Sequence, residues 1–223
     1  MKFFRSRFFG SVLWLWIGAV LGGVFFLAPP IADFLPDADK ILYIHVPCAW
    51  TAMLAYLICA GESISYLRRG DTVSDRRCAI AARLGLLFTV LATMSGSILA
   101  RLMWGSFWSW DPRQTSILCL IAIYAAYLAI RRSIDEPERR GRLAAGYSLL
   151  AVVTVPFLMF VVPRVLQSLH PQPIFNLKMK LEVGVENLLL LLASLAGFAG
   201  LFFRLFALED QIEEARERLE GFH

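Results

Sequence analysis

The sequence predicts an all-α integral membrane protein with six transmembrane helices and with both termini in the cytoplasm. Hydrophobic residues make up 58% of the 223-residue chain, compared with about 45–50% in ordinary soluble domains. A helix needs about 20 mostly apolar residues to cross the hydrocarbon. Six stretches meet this requirement: 8–28, 42–67, 79–102, 115–130, 143–163 and 181–206. We therefore predict a single membrane domain over residues 1–206, followed by a cytoplasmic tail over residues 207–223.

The distribution of basic residues predicts the orientation. One side of the predicted bundle carries fifteen of them: Lys2, Arg5, Arg7, Arg68, Arg69, Arg76, Arg77, Arg131, Arg132, Arg139, Arg140, Arg142, Arg204, Arg216 and Arg218. The other side carries five: Lys40, Arg113, Arg164, Lys178 and Lys180. Because cytoplasmic loops carry the excess of Lys and Arg, the first side is predicted to face the cytoplasm. Nucleic-acid binding is not expected, since these arginines lie where topology already requires them.

The first span begins like a signal peptide, but we expect it to be retained. Its 21 uncharged residues over 8–28 exceed the roughly 7–15 residues of a signal-peptide apolar region. Pro29 and Pro30 follow it, with no small-residue cleavage site.

Charged residues near the cytoplasmic ends of spans 2 and 3 predict an ion pair. A short hairpin would bring Glu62 and Arg83 to a similar depth, and an unpaired charge in hydrocarbon is costly. We therefore expect a structural Glu62–Arg83 pair.

The charged tail has apolar residues at helical spacing, which predicts a cytoplasmic helix against a partner or the membrane surface.

Two carboxylates begin span 6 on the opposite side. Glu182 and Glu186 lie one helical turn apart. We expect them to pair with Arg101 or Lys178, with exposure to water at the outer surface as the alternative.

A tryptophan-rich stretch at residues 104–115 faces outward in this topology and contains three of the six tryptophans. If residues 104–110 form a short helix, Trp104, Phe107 and Trp108 share one face and make an aromatic shelf for a planar ligand. The structural alternative is an interfacial aromatic belt, with Asp111 as the N-cap and Pro112 as the first residue of the next helix.

Two histidines are predicted on the same outer side as the tryptophans. His45 lies about one turn into span 2, and His170 lies in the loop before span 6. Imidazole is a common axial ligand of haem iron, and two histidines can fill both axial positions. Haem binding also requires apolar contacts with the macrocycle and cations for the propionates. Aromatic residues could contact the macrocycle, and the propionates could be bound by Arg113, Arg164 or Lys178.

Other chemistries fit the sequence less well. It contains no HExxH or CxxC spacing and no histidine–carboxylate cluster, as a zinc site would require. It also lacks a Walker A sequence, a GxSxG elbow and a dinucleotide fingerprint, so we expect no ATP hydrolysis by this chain.

The stretch at 104–115 resembles the WWD signature of the haem-handling superfamily of cytochrome c maturation: W-G-x-x-W-x-W-D-x-R-x-T. With I-H-V-P-x-A-W at 44–50 and Leu169-His170 before span 6, the chain resembles the haem exporter protein C (CcmC) family over about residues 10–206. Two departures are Phe107, where the family often has tryptophan, and Pro171, where it often has glutamine. Phenylalanine keeps a stacking face, whereas Pro171 changes the surroundings of His170.

The resemblance implies a bacterial inner-membrane protein that binds haem b transiently on its periplasmic face. His45 and His170 would be the axial ligands, and the residues for stacking or chaperone docking would be Trp50, Trp104, Phe107, Trp108 and Trp110. Polar contacts would come from Arg113, Asp111, Arg164 and Lys178. It further implies delivery to a periplasmic haem chaperone (haem chaperone E). The implied partners are the ABC subunits A and B and a small single-span protein D of the same system, with ATP hydrolysis in a partner.

Two alternatives from other functional classes remain. One is a permease whose tryptophans form only a belt and whose Arg101, Glu182 and Glu186 line a polar path. Against it, spans 1, 4 and 5 carry no charged residue well inside the membrane. The other is a haem ligase acting directly on apocytochrome c, although the larger superfamily members that resemble this role carry additional spans and membrane histidines.

Overall fold

The computed structural model describes residues 1–31, 34–35, 37–166, 168–169 and 184–220. In this part of the chain six helical segments are long and apolar enough to cross a membrane: Arg7–Phe26, Asp39–Arg69, Thr72–Trp104, Pro112–Ser133, Pro137–Val165 and Val185–Leu219. The predicted all-α class with six spans is therefore confirmed, and the protein is a multi-pass membrane protein.

Eight α-helices, a 3₁₀ turn and a π-helical turn make up the helical structure of these described ranges. Their bounds are α1 Lys2–Arg5, α2 Arg7–Phe26, the 3₁₀ turn Asp39–Ile41, α3 Leu42–Arg69, α4 Thr72–Trp104, α5 Pro112–Ser133, α6 Pro137–Pro156, the π-helical turn Phe157–Val161, α7 Val162–Val165 and α8 Val185–Glu220. Helix α8 continues without a break through the charged segment after residue 206.

A tight hairpin joins α3 to α4. Gly70 ends α3 with a positive φ of 69°, a conformation that glycine adopts without a Cβ penalty. Asp71 then caps α4, because its Oδ1 accepts a hydrogen bond of 2.8 Å from the Ser74 amide. This bond, outside the membrane-spanning segments, lowers the pKa of Asp71 below its ordinary value.

Helices α3 and α4 form the centre of the bundle, and small residues allow their close contact. A Cβ at Gly85 would lie 2.5 Å from Cε1 of Tyr56. The Tyr56 hydroxyl is 2.7 Å from Oγ1 of Thr89, and its ring stacks on Tyr124 of α5. Small residues and satisfied polar groups are typical of helix contacts in lipid, where no hydrophobic effect drives the helices together.

The predicted pair between Glu62 and Arg83 is wrong. Nη2 of Arg83 lies 3.1 Å from Oε2 of Glu209 and 3.1 Å from Oε1 of Glu213. The reason is that the end of α8 lies along the beginning of α4 and supplies two carboxylates to Arg83. The charged tail thus packs on the bundle through its acidic side, while Ile212 and Leu219 remain exposed.

Asp210 of α8 holds both ends of the chain together. Its carboxylate is buried and lies 3.2 Å from Nη2 of Arg5, 3.1 Å from Nε of Arg76 and 3.5 Å from Nη2 of Arg77. The N-terminus, the beginning of α4 and the end of α8 therefore lie on one side of the bundle. We call this side, which also includes the α5–α6 connection, the terminal side, and the opposite side the tryptophan side.

Asp210→Asn is expected to lower the free energy of unfolding by roughly 2–3 kcal/mol. Removing one member of a buried ion pair is destabilising because its partners lose their compensating charge. The effect is reduced because Arg76 keeps Glu217 and because Arg5 and Arg77 are partly exposed. The measurement is thermal unfolding of the purified protein in detergent. The matched control is Glu214→Gln, since Glu214 pairs with the exposed Arg218 on the same helix. Equal melting temperatures for the two variants would contradict this account.

Candidate functional site

A cavity of about 120 Å³ opens on the tryptophan side between α3, α4, α5 and the segment after α6. The lining residues that matter for its chemistry are His45, Gly96, Trp108, Arg113, Gln114 and Met159. Ligand pockets usually measure about 300–1,000 Å³. This cavity can therefore hold only one edge of a large ligand, and the rest would lie against the neighbouring surface.

His45, the predicted ligand on α3, is held by a backbone carbonyl of α4. Its Nδ1 lies 2.9 Å from the carbonyl oxygen of Ala92 and 3.4 Å from Oγ of Ser95. A carbonyl oxygen can only accept a hydrogen bond, so Nδ1 carries the proton. In the neutral imidazole Nε2 then carries the lone pair, and this is the tautomer in which Nε2 can bind a metal.

Gly96 makes the position of His45 possible. A Cβ at residue 96 would lie 2.7 Å from Cε1 and 3.0 Å from Nδ1 of His45. Real Cβ atoms essentially never approach this closely, so any larger residue would displace the ring. The sequence analysis did not identify Gly96. The only feature of the sequence at this position is that the glycine lies between two serines, Ser95 and Ser97.

Residues 105–111 of the tryptophan-rich stretch form a loop, so the expectation of a short helix over residues 104–110 with a flat shelf is wrong. Helix α4 ends at Trp104, and Gly105 closes it with a φ of 79°. Residues 105–111 are not helical. Trp108 borders the cavity and packs edge-to-face on Trp110, with ring centroids 5.7 Å apart at 89°. Phe107 and Trp110 are largely exposed, so the surface beside the cavity is aromatic.

Gln114 of α5 holds this loop in place. Its Oε1 accepts a 2.8 Å hydrogen bond from the Ser109 amide, and its Nε2 donates to the carbonyl of Phe107 over 3.3 Å. The side chain is buried. No role was predicted for Gln114, because its partners depend on the path of the loop.

Asp111 joins the loop, α5 and the segment after α7. It caps α5, with Pro112 as the first helical residue, so the helix-start interpretation is confirmed. Oδ1 accepts hydrogen bonds from the Arg113 amide at 2.8 Å and from Oγ of Ser168 at 2.9 Å. Oδ2 accepts one from the Leu169 amide at 2.7 Å. The Asp111 carboxylate therefore makes these hydrogen bonds to other residues of the protein.

The predicted cations differ in their surroundings. Arg113 borders the cavity, and its buried Nε has no hydrogen-bond partner among the described residues. Arg164 is exposed, donates to the carbonyl of Phe160 at 2.9 Å and lies over that ring. Arg101 donates to the backbone carbonyl of Gly105 at the end of its own helix. The expected pairing of Arg101 with a span 6 carboxylate is not found within the described ranges.

Several predicted residues lie elsewhere or outside the description. Trp50 packs edge-to-face with Phe160, at a centroid distance of 6.4 Å, and does not border the cavity. Trp104 is partly buried at the end of α4, and Glu186 is exposed at the start of α8. Three predicted residues lie outside the described part of the chain: His170, Lys178 and Glu182.

The fold and this cavity define the class as a multi-pass α-helical membrane protein with a histidine- and arginine-lined site at one surface. A family model described as Heme exporter protein C matches residues 4–221. The chain therefore belongs to the haem exporter protein C family, as its sequence resemblance indicated.

The chain is similar to several proteins named "Heme exporter protein C", and three examples follow. The one from Rhodobacter capsulatus is 31% identical over 211 residues, covering 95% of this chain and 86% of that protein. The one from Paracoccus denitrificans is 31% identical over 226 residues, covering 98% and 92%. The match to the Bradyrhizobium diazoefficiens protein is 37% identical and covers 54% of this chain and 46% of that protein.

Gln114→Met is expected to loosen residues 107–109 without unfolding the bundle. The variant keeps the side-chain length but loses bonds that typically contribute about 1 kcal/mol each. Hydrogen–deuterium exchange should become faster in the loop and stay unchanged in α3 and α4. Gln211→Met, on the exposed part of α8, is the control. Unchanged loop exchange in Gln114→Met would refute the role of this side chain.

Proposed function

We propose that this protein binds haem at the tryptophan side and delivers it to a periplasmic haem chaperone, haem chaperone E. Membership of the family supports a role in haem handling for cytochrome c maturation. The observation that carries the proposal is the geometry of His45. Its Nδ1 donates to the Ala92 carbonyl, which in the neutral imidazole leaves Nε2 unprotonated, and the ring borders a cavity that Arg113 also lines.

His45 has the surroundings that a metal-binding histidine needs. Ligating histidines almost always donate their other ring N–H to a carbonyl, carboxylate or water, which fixes the ring orientation and raises its basicity. The Ala92 carbonyl meets this requirement, and Gly96 gives the ring the space to reach it. We propose His45 as one axial ligand of the haem iron.

His170 is proposed as the second axial ligand. It lies outside the described residues, so its support comes from its neighbours in sequence. Ser168 and Leu169 both donate hydrogen bonds to Asp111. The chain immediately before His170 is thus anchored beside the tryptophan-rich loop. Because the sequence predicts a loop at His170, whereas His45 belongs to the long helix α3, we propose that His170 is exchanged first during delivery.

The surroundings of the cavity fit a haem that is bound transiently. The cavity admits one edge of a macrocycle, and the exposed Phe107 and Trp110 offer apolar rings to the part outside it. Arg113 has an Nε without a partner among the described residues, which is available for a propionate, and Arg164 and Lys178 are the further candidates. A partly exposed haem b would leave its vinyl groups accessible to the chaperone.

The proposed setting is a complex in the bacterial inner membrane. The ABC subunits A and B would hydrolyse ATP, and a small single-span protein D would complete the assembly. This chain would bind and deliver haem and would not be the enzyme of the complex. The excess of basic residues on the terminal side supports a cytoplasmic location for that side. The tryptophan side, with its haem site, would then face the periplasm.

The test is the visible absorption spectrum of the detergent-purified protein, titrated with haem, beside His45→Ala and His170→Ala. The wild type is expected to give a low-spin bis-histidine spectrum, and each variant should lose or change it while it remains folded, as shown by a cooperative melting transition. A folded wild type that binds no haem would overturn the proposal. Transport of other solutes by haem-free protein in vesicles would favour a permease, and unaided modification of a CxxCH peptide would favour a ligase.

Gly96→Ala is expected to weaken haem binding about two- to tenfold. Forcing a side chain away from its preferred rotamer costs about 0.5–1.5 kcal/mol, and the added methyl group would push the His45 ring. The measurement is the dissociation constant from a haem titration. The control is Gly22→Ala, since a Cβ at Gly22 meets no atom within 4 Å. Equal affinities for the two variants would contradict the proposed importance of the contact between Gly96 and His45.

A further inference from the structure

A second, larger cavity lies on the terminal side of the bundle. It measures about 810 Å³ and is bordered by the ends of α3, α4, α5, α6 and α8. Five arginines line it: Arg76, Arg83, Arg131, Arg132 and Arg140. Four carboxylates also line it: Asp75, Glu138, Glu213 and Glu217.

Three of the five arginines are already paired. Arg76 pairs with Asp210 and Glu217. Arg83 pairs with Glu209 and Glu213. Arg131 holds Asp75 through two hydrogen bonds of 2.5 and 2.7 Å. The cavity's positive charge is therefore largely compensated on its α4 and α8 sides.

Arg132 and Arg140 are the two arginines of this cavity with no ion pair among the described residues. Nε of Arg140 is also buried without a hydrogen-bond partner in the same part of the chain. Glu138, the carboxylate nearest in sequence, pairs with Arg142 at 2.5 Å. The α5–α6 side of the cavity thus carries two guanidinium groups that form no ion pair within the described ranges.

A smaller cavity adjoins this one at the end of α3. It measures about 470 Å³, shares Tyr66, Gly70 and Glu138 with the larger cavity and is also lined by Leu67 and Arg142. Leu67 lies near the end of the membrane-spanning helix α3 and is 48% exposed. The adjoining cavity therefore places an exposed apolar side chain beside the arginine-lined cavity.

We propose that this cavity binds the phosphate group of an anionic membrane lipid. Guanidinium groups bind phosphate oxygens through paired, charge-assisted hydrogen bonds, and basic pockets between transmembrane helices on the cytoplasmic side bind anionic headgroups. Arg132 and Arg140 contact the phosphate, and an acyl chain lies along Leu67. The exposed Leu67 of the adjoining cavity favours a lipid over a soluble phosphate compound. The lipid links the α5–α6 connection to α3 and α4.

The test compares lipid retention by native mass spectrometry after reconstitution in phosphatidylcholine containing phosphatidylglycerol. The double variant Arg132→Gln/Arg140→Gln is expected to retain about tenfold less phosphatidylglycerol than the wild type. The control, Arg68→Gln/Arg139→Gln, removes the same charge from exposed positions that do not line the cavity, and should retain lipid like the wild type. Equal loss in both double variants would overturn the proposal, because it would indicate attraction to surface charge alone.

Thermal unfolding in detergent separates the lipid from a soluble phosphate. Added phosphatidylglycerol should raise the melting temperature of the wild type and of Arg68→Gln/Arg139→Gln, but not that of Arg132→Gln/Arg140→Gln. Inorganic phosphate at equal concentration should have no effect. Equal stabilisation by inorganic phosphate would overturn the assignment to a lipid. Because Arg132 and Arg140 make no ion pairs in the described chain, the double variant is expected to melt like the wild type without lipid.

Discussion

The candidate site depends on one hydrogen bond, from Nδ1 of His45 to the carbonyl of Ala92. Helix carbonyls are normally occupied by amides four residues later, but an oxygen has two lone pairs and can accept a second donor. The bond joins α3 to α4 at the tryptophan side and sets the tautomer of the ring. It also requires a residue without a side chain at position 96, since the ring lies against α4.

The loop at residues 105–111 is held in place by hydrogen bonds with Gln114 of α5 and with Asp111, the N-cap of α5. In the same way, His45 is held by its hydrogen bond with α4. Gln114 binds the backbone at Phe107 and Ser109, and Asp111 binds the backbone at Arg113 and Leu169. Both are buried polar side chains whose hydrogen bonds are made mainly to the backbone. Gln114 and the signature residue Asp111 thus hold the backbone that carries the aromatic rings, and the rings themselves remain partly exposed. An exposed aromatic surface suits a cargo that must be passed to a partner.

Local chemistry made part of this structure predictable. Long apolar runs identified the six spans, and Asp111 before Pro112 identified the start of α5, because capping depends only on adjacent residues. The Glu62–Arg83 pair was wrong because Arg83 takes its partners from α8, more than a hundred residues away. The loop at 105–111 and the role of Gly96 depend on packing between helices, which single-sequence patterns do not encode.

The most direct test of the account is ¹⁵N NMR of the protein labelled at its three histidines, with His45→Ala to assign the signal. The account predicts that His45 in the haem-free protein is protonated at Nδ1 and unprotonated at Nε2, and that added haem shifts or broadens the Nε2 signal. A proton on Nε2, or an Nε2 signal unchanged by haem, would contradict the proposal that His45 is a haem ligand.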